Sequence, residues 1–119
     1  PRVVRELVFL SEERGNIAPI LGDCFHPEIY LHRVCQCDFL FQDIAQRNQV
    51  EIFLKNLMFV PSGAHCLLSV KARSVDVTKN PRIIFQEVLQ QLEKSIDVLE
   101  WKELAPYEDD HALFVCKKR

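Results

Sequence analysis

The sequence predicts an α/β fold with a mainly parallel sheet. Short apolar runs of strand length alternate with amphipathic segments of helical period along the 119 residues, and this alternation is typical of strands joined by helical crossovers. Residues 37–42 form the predicted central strand, because this run is apolar enough to be buried on both faces and is followed by Asp43. Only a short polar turn separates the last two predicted strands, which should therefore pair antiparallel.

The first 21 residues are predicted to form a helix and a strand. Apolar residues at helical spacing indicate a surface helix over residues 2–14, which would end at Gly15 because glycine readily adopts the left-handed conformation. Residues 17–21 are apolar and are predicted to form a strand. Pro19 cannot donate a hydrogen bond to a ladder, so this strand should occupy an edge or an irregular position.

Helices are predicted on either side of the central strand. Pro27 suits the first position of a short helix that extends to about Val34. Asn48 and Glu51 have the spacing of a helix cap and its reciprocal partner. Apolar residues then recur at intervals of three and four, which predicts a strongly amphipathic helix over residues 48–59.

The C-terminal half is predicted to contain three strands and one helix. The apolar run at residues 64–70 should form the strand that follows the central one. A helix over residues 81–94 comes next, because Asn80 can cap it and proline occupies its first position. Residues 96–104 and 112–116 are the last two predicted strands.

Composition and charge narrow the possible functions. The formal net charge of −2 provides no general attraction to nucleic acid, so RNA contact would require a local basic patch or a partner protein. The five cysteines have neither zinc nor redox spacing, which predicts reduced thiols and no metal site. No apolar run approaches the length of a membrane span. The basic patches that could contact RNA are Lys117–Arg119 and the set Lys71, Arg73, Lys79 and Arg82.

Three polar residues lie at strand boundaries that should meet at one edge of the sheet. Asp43 and Lys71 follow parallel strands, and His111 precedes an antiparallel one. Ligands of open α/β sheets bind outside the carboxyl ends of the strands, so an acid, an amine and an imidazole would converge on a candidate site. Each residue also has an alternative structural role, as a cap, a surface charge or an edge residue.

Four motifs carry a resemblance to a known family. The segments 20–23, 43–49, 70–78 and 106–112 occur in order, at the expected spacing, over nearly the whole chain. With these motifs the sequence resembles fibrillarin, and more closely the archaeal fibrillarin-like RNA 2′-O-methyltransferases. The resemblance implies a Rossmann-like methyltransferase fold that uses S-adenosylmethionine as its cofactor.

The resemblance also implies roles for individual residues. The pair matching Asp23 and Cys24 contacts the adenine, and Cys24 stands where the family usually has alanine. Arg47 stands where the family usually has proline. Asp76 lies in the same loop as the catalytic group, with a less defined role. The run that lines the methionine end of the cofactor comprises Asp43, Ile44, Ala45 and Gln46, and the catalytic group comprises Asp43, Lys71 and His111.

The function implied by the resemblance is methyl transfer to ribose 2′-hydroxyls of ribosomal RNA within a box C/D guide ribonucleoprotein, with transfer RNA as a second implied substrate. The implied partners are a Nop-domain scaffold protein, a kink-turn-binding protein, the guide RNA and the target RNA. The implied location is the cytoplasm in an archaeon and the nucleolus in a eukaryote. Two alternatives remain open: a non-catalytic module that binds the scaffold protein, and methylation of protein glutamine.

The resemblance implies that residues 1–119 are the C-terminal portion of a single methyltransferase domain. The N-terminal strands of the family and its glycine-rich cofactor loop have no counterpart in this sequence. In the family sheet, two such strands lie between those matching residues 17–21 and 37–42. A sheet without its middle exposes backbone groups and apolar faces. We therefore expect a missing N-terminal half as a second chain, a longer protein, or swapping between copies, and no cofactor binding by an isolated monomer.

Overall fold

A computed structural model of the chain describes residues 2–119. These residues form four strands and four α-helices. Two isolated 3₁₀ turns, Pro27–Ile29 and Leu31–Arg33, precede the first strand, and another, Leu57–Phe59, extends the second helix. The elements in order are α1 (Arg2–Arg14), β1 (Phe39–Asp43), α2 (Gln49–Asn56), β2 (His65–Lys71), α3 (Ala72–Val75), α4 (Pro81–Glu93), β3 (Asp97–Glu103) and β4 (His111–Lys117).

The four strands form one mixed sheet in the order β1-β2-β4-β3. Strand β1 pairs with β2 in parallel, whereas β4 lies between β2 and β3 and is antiparallel to both. Three of the four strands therefore run in the same direction, and the last runs against them. This confirms the predicted mostly parallel α/β sheet with an antiparallel final strand.

The hydrophobic core lies between one face of the sheet and helices α2 and α4. Phe53 of α2 and Ile84 of α4 are almost completely buried against alternate residues of β2 and β4. At one end of this layer, Trp101 stacks on Phe114 with the ring centroids 5.4 Å apart. Because the two helices carry apolar residues at intervals of three and four, each presents one continuous stripe to the sheet.

The opposite face of the sheet is largely uncovered. Phe39 and Phe41 of the edge strand β1 are 51% and 56% exposed, although the sequence predicted a strand buried on both faces. Helix α1 has no buried residue. None of the described helices is long and apolar enough to cross a membrane.

Two predicted elements are wrong. Residues 17–21 form no strand, because a strand needs a ladder partner and Pro19 cannot donate to one. The helix expected from Pro27 to Val34 is two separate 3₁₀ turns. Their hydrogen bonds join residues three positions apart, and 3₁₀ runs rarely exceed a few residues. The one-turn helix α3 was not predicted.

The predicted caps differ in outcome. The Asn80 side chain accepts a hydrogen bond from the backbone N–H of Arg82 at 3.0 Å, as a helix cap should. Asn48 does precede α2, but its side chain makes no capping hydrogen bond. Its backbone, at φ −96° and ψ 30°, is outside the extended region that cap residues usually adopt.

Candidate active site

Asp43, Lys71 and His111 lie on one rim of the sheet, as their strand positions predicted. Asp43 ends β1, Lys71 ends β2, and His111 begins β4 directly opposite Lys71. Asp43 pairs with Ser69, two residues before Lys71. The three positions alternate with the buried residues Gln42, Val70 and Ala112. They therefore belong to the side of the sheet that faces away from the core.

The turn before β4 holds Lys71 and His111 next to each other. The backbone N–H of Ala72 donates to the carbonyl of Asp110 at 2.8 Å. The Asp110 carboxylate also pairs with the Arg73 guanidinium, with Nε and Oδ2 separated by 2.7 Å. Asp110 adopts the left-handed conformation at φ 60°, which aspartate tolerates better than most residues. These contacts fix the two strand ends at the rim.

The His111 ring is largely buried, with its side chain 13% exposed, and its two nitrogens have different partners. Nδ1 lies 2.8 Å from the carbonyl oxygen of Asp109, and because a carbonyl only accepts, Nδ1 carries the proton of that bond. Nε2 lies 3.4 Å from a carboxylate oxygen of Glu108. The ring is therefore held in one orientation, with Nε2 directed at the Glu108 carboxylate.

The segments predicted to bind the cofactor line one cavity of about 640 Å³. Asp23 and Cys24 form one wall, and Ile44 and Gln46, from the loop that follows β1, form the other. The predicted residues Asp43 and Ala45 flank this wall without lining the cavity. The other lining residues were not assigned to the cofactor from the sequence, and they are Leu21, Gly22, Phe25 and Asn48.

The cavity is lined by both polar and apolar residues. Asp23 is fixed by a tight turn in which its Oδ1 accepts from the backbone N–H of Phe25 at 3.0 Å. Its carboxylate can accept further hydrogen bonds, since each oxygen has two lone-pair sites. Apolar side chains with a few convergent polar groups are typical of small-molecule sites of about 300–1,000 Å³.

Helix α2 holds residues 23–25, here called the Asp23 segment, in place. The Asn56 side chain donates to the carbonyl of Cys24 at 2.9 Å and accepts a hydrogen bond from the Tyr30 hydroxyl. Lys55 donates to the carbonyl of Phe25 at 3.1 Å and lies 3.6 Å above the centre of the Phe25 ring. These contacts join residues about thirty positions apart in the sequence, and local sequence patterns could not reveal them.

Tyr30 packs next to the Asp23 segment. Its ring stacks on Phe59 and closely approaches Gly22, where a Cβ atom would lie 3.2 Å from the ring. Burial, together with the neighbouring Cys24, raises the pKa of the Tyr30 hydroxyl to about 12. The hydroxyl therefore remains a hydrogen-bond donor to Asn56 at any pH near neutrality.

Replacing Asn56 with leucine should lower the free energy of unfolding by about 1–3 kcal/mol, because the Cys24 carbonyl and the Tyr30 hydroxyl lose their partner while partly buried. Urea unfolding measures this loss. The control is Gln90→Leu, an exposed amide on α4, for which we expect a change within about 0.5 kcal/mol. Equal effects of the two substitutions would show that Asn56 anchors nothing.

Asp76 lies apart from the 640 Å³ cavity, in the loop after α3. Its carboxylate accepts from the side chain and the backbone N–H of Thr78, at 2.6 and 2.8 Å, and these bonds hold its pKa below the usual value. It borders a smaller cavity of about 210 Å³ together with Arg73 and Lys79. Asp76 is thus a loop-ordering residue beside the rim.

The fold and the rim together define a class of protein. A sheet with an antiparallel strand inserted before its final parallel one, with a polar cavity beyond the carboxyl end of β1, is the arrangement of Rossmann-like S-adenosylmethionine-dependent methyltransferases.

The chain belongs to the fibrillarin family. The family model for Fibrillarin matches residues 1–119. The fibrillarin-like rRNA/tRNA 2′-O-methyltransferase of Thermococcus gammatolerans is 50% identical over 99% of the chain, and that of Pyrococcus furiosus is 47% identical over the same share. The chain spans about half the length of these relatives, 53% and 52%.

Solved structures show the same relationship. The Methanococcus jannaschii fibrillarin pre-rRNA processing protein superposes with a TM-score of 0.93 at 40% identity, covering 99% of this chain and 52% of that one. A fibrillarin/Nop5p complex matches with a TM-score of 0.92 at 35% identity, covering 97% and 56%. Aeropyrum pernix fibrillarin with natively bound S-adenosyl-L-methionine matches with a TM-score of 0.83 at 36% identity, covering 98% and 51%.

Proposed function

We propose that this chain forms the catalytic rim of an S-adenosylmethionine-dependent RNA 2′-O-methyltransferase. The observation that carries the proposal is the single cavity shared by the Asp23 segment and the loop after β1. A related fibrillarin was solved with S-adenosyl-L-methionine natively bound. The curated relatives are named for methyl transfer to rRNA and tRNA 2′-hydroxyls, which makes these RNAs the proposed substrates.

The cavity residues fit the cofactor chemically. The Asp23 carboxylate is an acceptor for the exocyclic amine of adenine, and Cys24 is small enough to leave space beside the ring. Ile44, Ala45 and Gln46 follow β1 directly, so this segment is assigned to the methionine end. When bound, S-adenosylmethionine supplies an electrophilic methyl group.

The rim residues have separate proposed roles in activating the ribose 2′-hydroxyl. The role proposed for the Lys71 ammonium is to donate a hydrogen bond to the ribose 2′-hydroxyl and to favour its anionic form. Asp43, at the end of the neighbouring strand, would orient that ammonium or accept the proton. His111, which lies opposite Lys71, would orient the ribose or shuttle the proton. Holding the reactants in line accounts for most of the expected rate.

The open surface of the sheet favours completion by further polypeptide. Among residues 2–119, strand β1 lies at an edge of the sheet and pairs only with β2. Its own Phe39 and Phe41 are exposed. Exposed edges and apolar faces of this kind are normally paired or covered. We therefore propose that the active assembly contains the remaining half of the methyltransferase fold, either in the same polypeptide or as a second chain.

The proposed setting is a guide ribonucleoprotein. The fibrillarin/Nop5p complex supports a Nop-domain scaffold as a direct partner. A kink-turn-binding protein and a box C/D guide RNA would complete the assembly and deliver the target RNA. Delivery by such partners suits a chain whose formal net charge is −2. The assembly would act in the cytoplasm of an archaeon or the nucleolus of a eukaryote.

The test is methyl transfer from isotopically labelled S-adenosylmethionine by the complete assembly, with guide and target RNA. Nuclease digestion should yield a labelled 2′-O-methylnucleoside at one guided position. Label in protein glutamine instead would overturn the proposed RNA substrate. Scaffold binding without any transfer would overturn the proposed enzyme and support a non-catalytic module.

A further inference from the structure

We propose that Gln49 is a positioning residue that couples residues 44–46, here called the cofactor segment, to Lys71. This inference rests on the proposed function. The Gln49 carboxamide is completely buried, yet it lies at the start of α2, between the ends of two neighbouring strands. Buried amides are costly unless they are hydrogen-bonded. The partners of Gln49 therefore indicate what it holds together.

All of its side-chain partners belong to the proposed site. The Nε2 atom donates to the carbonyl of Gln46 at 2.8 Å and to the carbonyl of Lys71 at 3.3 Å. The Oε1 atom accepts from the backbone N–H of Lys71 at 3.2 Å. One carboxamide thus holds both polar backbone groups of Lys71 and one carbonyl of the cofactor segment.

The backbone of Gln49 is itself fixed from β1. The Gln42 side chain donates to the Gln49 carbonyl at 2.6 Å, and Gln42 immediately precedes Asp43 on the same strand. A chain of buried hydrogen bonds therefore runs from the end of β1, through Gln49, to the end of β2. Such a buried network rigidifies the groups that it joins.

This geometry determines what Gln49 does in the reaction. The cofactor segment follows β1, whereas Lys71 ends β2, 25 residues beyond Gln46 in the sequence. Transfer requires the methyl group and the 2′-hydroxyl to be aligned closely, and a misplacement of about 1 Å can lower a rate by about 10²-fold. Gln49 sets this alignment without touching the reactants.

The test is a double-mutant cycle in the complete assembly, measured as kcat at saturating cofactor and RNA. Gln49→Met keeps the side-chain length but removes the three hydrogen bonds, and it should lower kcat by about 10–100-fold. In a Lys71→Ala background the same substitution should have little further effect, because the residue that it positions is gone.

The control is Ile96→Ala. Ile96 is completely buried and directly precedes Asp97, which pairs with Lys117 at the end of β4 that lies furthest from Lys71. The substitution removes apolar packing away from the rim, so it should lower stability while kcat stays the same. Equal losses of kcat in the Gln49 and Ile96 variants would overturn the proposal.

Hydrogen exchange separates this inference from the proposed function. Gln49→Met should speed amide exchange in both segments, 44–49 and 71–76, whereas Ile96→Ala should leave both protected. Protection that persists in the Gln49 variant, or a kcat loss that is undiminished in the Lys71→Ala background, would overturn the positioning role. An unaltered assembly that transfers no methyl group would contradict the proposed function, and faster exchange in both segments would still support the coupling.

Discussion

Replacing Lys71 with methionine should lower kcat for RNA methylation by about 10²–10⁴-fold, the usual contribution of a positioned proton-transfer group. Lys71 ends β2 on the rim and its backbone is held at two points by Gln49. Methionine keeps most of the apolar stem but removes the ammonium that would stabilise the anionic 2′-oxygen. Single-turnover transfer of labelled methyl groups measures the effect.

Cofactor affinity distinguishes a catalytic loss from a folding defect. Lys71 does not line the 640 Å³ cavity, so the dissociation constant for S-adenosylmethionine should be unchanged in the variant. Lys102→Met is the control, because Lys102 is an exposed lysine on β3 of the same sheet. Full activity in the Lys71 variant would remove this residue from the mechanism.

Replacing Ile84 with alanine should lower the free energy of unfolding by about 2–5 kcal/mol, the range for deleting a buried isoleucine side chain. Ile84 is 1% exposed and lies on the α4 stripe that packs against the sheet. A domain is stable by only about 5–15 kcal/mol in total. The expected loss is therefore a large fraction of the total free energy of unfolding.

The neighbouring isoleucine provides the control. Ile83 precedes Ile84 on the same helix but is 53% exposed, so Ile83→Ala should change stability by no more than about 0.5 kcal/mol. Chemical denaturation of both variants in the complete assembly compares the two sites. Similar losses at the two positions would contradict the assignment of the α4 faces.

The parts of the fold that were predictable depend on periodicity. All four strands were predicted to within two or three residues, because β1, β2 and β4 are short apolar runs between turns and β3 contains Val98, Leu99 and Trp101. Helix α4 was predicted from its apolar spacing and from Asn80 at its start. The common rim of Asp43, Lys71 and His111 followed from strand direction alone.

The parts that were missed depend on contacts between distant segments. Residues 17–21 have the composition of a strand, but composition cannot supply the neighbour that a strand requires. Gln49 and Asn56 bond to backbone groups 22 and 32 positions away. Their importance is evident only from their burial in the structure, because a buried amide needs hydrogen-bond partners. Local sequence patterns could therefore predict the rim, but they could not predict the hydrogen bonds that hold it in place.

The most direct test of this account is calorimetric titration of S-adenosylmethionine into the complete assembly, with and without Asp23→Ala. We expect one cofactor per chain. Removing the carboxylate should weaken binding by about 10–150-fold, which corresponds to about 1.5–3 kcal/mol for a hydrogen bond to a charged group. Equal affinity in the two proteins would contradict the placement of the adenine beside Asp23, and an assembly that binds no cofactor would contradict the proposed methyltransferase itself.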